Sequence, residues 1–202
     1  MLKLIWNLLA LLGLAIVAGV IWVTFSHGFG LQNFKDLKNL SAFDGKAPGV
    51  YMEMTKRLLA SGNAADATVW KIPVAANLSP EDVEQTMRFV ANEHNIKNVG
   101  ELPLSEQVEA MTGEKQRYLK IYMFCDPLTA AKMVDFSDAF SAYLPCRISV
   151  IEDKTGKLWL YSLNMDMMIH GGTELPADLF EETNSVKDTI LDIMNRGAAG
   201  DF

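Results

Sequence analysis

At 202 residues and a formal net charge of −7, the chain offers no basic stripe to neutralise phosphates, which argues against nucleic acid as a partner. The same acidity argues against adhesion to anionic lipid through a charged surface. Two cysteines are too few for a disulfide scaffold, and the length allows one domain with a substantial core.

The first element is apolar. From Leu4 to Phe25 the residues LIWNLLALLGLAIVAGVIWVTF carry no charge. At ~1.5 Å per residue they reach roughly 33 Å, enough for a hydrocarbon core of about 30 Å. Trp6 and Trp22 stand near the two ends, where interfacial aromatics belong. A transmembrane anchor is expected within residues 1–26. The competing reading is a cleaved secretory signal, whose apolar part runs ~7–15 residues before a small-x-small site. Ala18 and Gly19 are small, but apolar residues continue past them, and no cysteine follows to carry a lipoprotein anchor. Lys3 and the terminal amine flank one end of the span. Lys35 and Lys38, offset by Asp36, lie further from the other. This balance places the N-terminus in the cytoplasm. The expectation is a single-pass inner-membrane protein with its domain in the periplasm or exterior.

Residues 27–66 read as a stalk and a juxtamembrane helix. Val50, Met54, Leu58 and Leu59 have helical spacing between Pro48 and Ala60, closed by Ser61-Gly62. The domain is expected over 67–202. TVWKIPVAA, from Thr68, reads as a strand. Ser79-Pro80-Glu81-Asp82 is a helix start, and Val83, Met87 and Val90 share one face. A short strand follows over Ile96–Glu101, then a helix from Ser105 to Gly113. RYLKIYMF, Arg117–Phe124, is the strongest strand. Asp126-Pro127 opens a helix expected to reach Tyr143, with Ala130, Met133, Val134 and Phe140 inward. CRISVIED and KLWLYSLN make a hairpin turned at Lys154-Thr155-Gly156. A last helix, Val186–Asn195, buries Val186, Ile190, Leu191 and Met194, with Gly197 as its stop. The fold class is α/β: a two-layer sandwich of one mixed sheet with helices packed on it.

Two motifs carry a resemblance. Phe124-Cys125-Asp126-Pro127 ends the strong strand, and Leu144-Pro145-Cys146-Arg147 opens the next. The pair resembles the CNP and LPC signature of the family catalogued as domain of unknown function 302, over roughly Thr68 to Asn195. Asp126 stands where that family usually has asparagine, and both residues cap helices. The resemblance implies a two-layer α/β sandwich and a homodimer. It implies no reaction.

Four side chains at these motifs form the first candidate thiol or ligand site: Cys125, Asp126, Cys146 and Arg147. Cys125 precedes a helix N-terminus, which favours a thiolate, while Asp126 opposes it. The bland alternative is that both cysteines are small buried residues. A helix from Pro127 to Tyr143 would be roughly 25 Å long. If it crossed between parallel strands, it would leave the cysteines at opposite sheet edges, too far apart for a disulfide. Met165, Met167, Met168 and His170 form a second candidate, a soft-donor cluster suited to Cu(I). Core filling is the competing role for these methionines. His94 continues the Val83–Met87–Val90 stripe and is expected to close its helix on a free carbonyl. Glu181-Glu182 is expected near a helix start, serving the dipole. No phosphate loop, Gly-x-Ser-x-Gly, His-Glu-x-x-His or haem motif occurs. The expectation is therefore a non-enzymatic, membrane-anchored accessory module that binds a small ligand or a partner protein. No cofactor is expected beyond the possible copper. A thiol-dependent redox or sulfur-handling protein and a Cu(I)-binding protein are the alternatives.

Overall fold

The computed structural model describes residues 2–26 and 41–202. They fall into two compact units divided between Phe43 and Asp44. The stretch holding Lys35, Asp36 and Lys38 lies outside the described residues.

The first unit, Met1–Phe43, contains helix α1 (Leu2–Ser26). Its segment Ile5–Val23 has a mean hydropathy of 2.2, is exposed along its length, and is long and apolar enough to cross a membrane.

The second unit opens with α2 (Ala47–Ser61), which has proline in its first turn and ends on Gly62 in the left-handed region at φ 66°. A short α3 (Ala64–Ala67) leads into β1 (Val69–Pro73). Helix α4 (Pro80–Glu93) begins with a reciprocal cap. The Ser79 hydroxyl accepts from the Asp82 amide at 3.2 Å, and the Asp82 carboxylate accepts from the Ser79 amide at 2.9 Å. Then follow β2 (Lys97–Leu102), α5 (Leu104–Thr112), β3 (Leu119–Cys125) and α6 (Pro127–Phe136). A 3₁₀ turn (Asp138–Ala142) precedes β4 (Cys146–Glu152) and β5 (Leu158–Leu163). A short α7 (Asp166–His170) and a long α8 (Ala177–Ala199) complete the chain.

The five strands form one sheet in the order β1-β5-β4-β3-β2. Every pairing is antiparallel, so the sheet is not the mixed one expected. Alternation sorts its faces. Tyr122, Phe124, Ile148, Val150 and Leu160 point to one side and are fully buried. Val83, Met87 and Val90 of α4, with Ile190, Ile193 and Met194 of α8, join them in a single core. This is the two-layer sandwich.

Three sequence expectations are corrected. The helix opened by Asp126-Pro127 does not run to Tyr143. Ser137 is extended (φ −160°, ψ 124°) and ends it at Phe136. The break gathers Phe136, Phe140 and Tyr143, with neighbouring ring centroids 6.2 and 6.4 Å apart. The last helix starts at Ala177, earlier than apolar spacing suggested, because Leu179 and Thr183 are also buried. Gly197 does not stop that helix. It lies inside it, where a Cβ would sit 2.6 Å from Met87 Cγ, so glycine lets α8 approach α4 closely. The stop is Gly200, at φ 76°.

Candidate functional site

Two features converge beside the end of the sheet: a large cleft and, next to it, a small cavity. The cleft holds about 660 Å³. One wall is α2, whose Val50, Tyr51, Met54 and Arg57 recur at helical spacing and face inward. The opposite wall is the aromatic group Phe136, Phe140 and Tyr143. Met167, Met168 and Leu175 line it from α7 and the segment beyond. The lining is mainly apolar with a few polar groups, the make-up of small-molecule sites of this size.

Helix α2 forms that wall because it is latched to α7. The Asp44 amide donates to the Gly172 carbonyl at 2.9 Å. The Tyr51 hydroxyl donates to the Gly171 carbonyl at 2.5 Å. The Asp44 carboxylate takes Nδ1 of His170 at 2.6 Å and the Lys46 amide at 2.8 Å. The His170 bond, then the Lys46 amide, hold the Asp44 carboxyl below its ordinary range. An ionised carboxylate only accepts, so Nδ1 carries the proton. Gly171 is required at the turn, since a Cβ there would fall 2.2 Å from the Met167 carbonyl oxygen. Arg57 pairs with Glu53 at 3.0 Å and reaches the Val69 carbonyl at 3.3 Å, tying α2 to β1. The compact unit therefore begins at Asp44 and takes in α2.

The cysteines are not at opposite sheet edges. Strands β3 and β4 are antiparallel neighbours, and Phe124 faces Cys146 across the ladder. Both cysteines thus sit at the same end of adjacent strands, and both are free thiols. The premise that failed was the parallel crossover. Burial raises the Cys125 thiol and Asp126 raises it further. Burial pushes Cys146 up to about 11. Asp126 caps α6, its carboxylate accepting from the Leu128 and Thr129 amides at 2.9 and 3.3 Å. Arg147 is exposed, on the sheet face opposite Cys146 by alternation.

The methionine segment is helical, not extended. Met165 and His170 are buried while Met167 is 40% exposed. His170 turns to Asp44 and packs its ring on Phe180, so the four side chains do not converge on one point. Met165 and Met168, three residues apart on one helical face, instead border a cavity of about 20 Å³ with Cys125, Cys146 and Met133. Met168 borders the large cleft as well. Among the described residues, no three His, Cys, Asp or Glu side chains are grouped to hold a metal. His94 caps α4 but bonds a carboxylate, Nε2 lying 2.7 Å from Asp192 of α8. Glu182 lies in the early part of α8 and pairs with Lys132 of α6.

Neither the α2 wall nor the Asp44 latch has a local signal in the sequence that joins it to α7. Asp44-Gly45-Lys46-Ala47-Pro48 is a helix-start signal, but nothing local points from Asp44 to His170.

Fold and site together describe a small α/β sandwich with an apolar cleft at one sheet end. The chain belongs to the family described as domain of unknown function DUF302, whose model matches residues 71–196. It is similar in fold to the crystal structure of an uncharacterized conserved DUF302 protein from Bacillus stearothermophilus. The TM-score is 0.52 at 13% identity, covering 64% of this chain and 97% of that one. No match was found among curated proteins. Helix α2 precedes the matched residues, whereas the aromatic wall and α7 lie within them.

Proposed function

We propose that this protein is a membrane-anchored module whose domain holds a small, largely apolar ligand in the cleft between α2 and the Phe136–Tyr143 wall. The cleft of about 660 Å³ is the observation that carries the reading. Its charged groups are already paired within the protein: Glu53 with Arg57, and Asp166 with Lys187. The ligand is therefore held by aromatic and methionine contact rather than by a free charge. Helix α1 holds the domain at a membrane, where apolar compounds concentrate, and the domain faces the exterior. A thiol redox role is less well supported, because both thiols are pushed away from the reactive thiolate.

Native mass spectrometry of the full-length chain, released from its own membrane in mild detergent, tests the proposal. The wild type should carry a small-molecule mass and take up the apolar dye Nile red after that mass is stripped. Val50→Trp, which fills the cleft, should lose both. A bare wild-type mass together with equal dye uptake by the two proteins would overturn it.

A further inference from the structure

Parts of the two candidate sites that the sequence keeps apart share one cavity. Cys125 and Cys146 come from the β3 and β4 ends, Met133 from α6, and Met165 and Met168 from the start of α7. The cavity holds about 20 Å³. That is room for a single atom-sized guest, since a water needs roughly 10–15 Å³ by a comparable measure.

Water is a poor occupant. It needs about two to four polar partners, and of the three polar side chains on the wall, Asp126, Thr129 and Thr183, two are engaged. The Asp126 carboxylate caps α6. The Thr183 hydroxyl donates to the Leu179 carbonyl at 2.7 Å and lies 3.3 Å from Met133 Sδ. Apart from the Thr129 hydroxyl, the rest of the wall is aliphatic or sulfur. Thiolate and thioether sulfur bind soft monovalent copper and discriminate against hard cations that want oxygen.

We propose that this cavity is a Cu(I) site, with Cys146 as the anionic donor and Met133, Met165 and Met168 as thioether donors. Cys125 borders it at the strand end. On binding, the Cys146 S–H proton leaves to solvent as the Cu–S bond forms, and copper stays in its reduced state throughout. The ion enters from the large cleft past Met168, which lines both spaces. The site stands apart from the ligand reading of the cleft and does not depend on it.

The test uses the full-length chain in detergent, without oxygen, with Cu(I) supplied as its complex with the chelator bicinchoninate. The wild type should withdraw about one Cu(I) per chain from the chelator. Bound Cu(I) should protect Cys146 from alkylation, read by peptide mass spectrometry on the unaltered protein. Cys146→Ser and the double change Met165→Leu, Met168→Leu should each weaken retention by at least about tenfold. Met167→Leu, outside the cavity, should retain copper like the wild type. No withdrawal of copper, or alkylation of Cys146 unaffected by it, would overturn the site. So would retention that falls with Met167→Leu but not with the cavity changes. The protection experiment decides the matter even if Cys146→Ser fails to fold.

Discussion

Nδ1 of His170 lies 2.6 Å from Oδ2 of Asp44, across 126 positions of sequence, and both side chains are buried. This pair fastens the entry to α2 onto α7. It explains why a histidine that reads as a metal donor is committed elsewhere.

Asp44→Ala should loosen that fastening. It leaves the His170 N–H buried without its acceptor, which costs about 1–3 kcal/mol. Hydrogen exchange should speed up over 47–61, with little change in the amides of β3 and β4. Unchanged protection of α2 would contradict the latch.

The same pair sets a pH dependence. The Asp44 carboxyl is lowered from its ordinary value of 3.8 by the His170 bond first and the Lys46 amide second. A group lowered on folding binds fewer protons when folded. Its contribution is therefore full above that ordinary value and is lost as pH falls through the lower folded one. Exchange over 47–61 should accelerate as pH drops below about 4, after correction for intrinsic rates. Asp44→Asn should flatten that response. A wild-type profile matching the variant's would reject the assignment.

Gly197→Ala should destabilise the domain by about 1–3 kcal/mol, the usual cost of overpacking a core. Its Cβ would meet Met87 Cγ at 2.6 Å, and that atom sits mid-chain in a fully buried side chain. Thermal unfolding reads the loss. Met87→Ala in the same background should recover part of it, so a strictly additive double change would speak against this contact.

Asp153 organises the β4–β5 turn. Its carboxylate accepts from the Thr155 amide and hydroxyl, both at 2.7 Å, from the Lys157 amide at 3.1 Å, and from Trp159 Nε1 at 2.9 Å. These bonds, the Thr155 hydroxyl foremost, hold it well below the usual carboxylate range. Asp153→Ala should lower the melting temperature and shift Trp159 fluorescence, since Trp159 Nε1 loses its acceptor. A variant that melts and fluoresces like the wild type would show the turn is set by Gly156 alone.

Most element types were legible because their signals are local. Ser79-Pro80-Glu81-Asp82 opens α4, and alternation along Leu119–Cys125 marks β3. The Thr155-Gly156 turn joins β4 to β5, with Gly156 at φ 85°. Element ends were less legible. Ser137 breaks a helix that apolar spacing would carry onward, and Gly197 passes through one it would stop.

By itself, the sequence determined the charge-free N-terminal segment, the antiparallel hairpin and the amphipathic faces of the helices. Each depends on the repeat of a strand or helix over neighbouring residues. Only the tertiary structure decided that β3 and β4 run antiparallel, which brings Cys125 and Cys146 to one sheet end. It also decided that Asp44 meets His170 and that Met133 joins Met165 and Met168 around one cavity. Such contacts arise from how whole elements stack, and a chain's local periodicity carries no record of which distant face will be its neighbour.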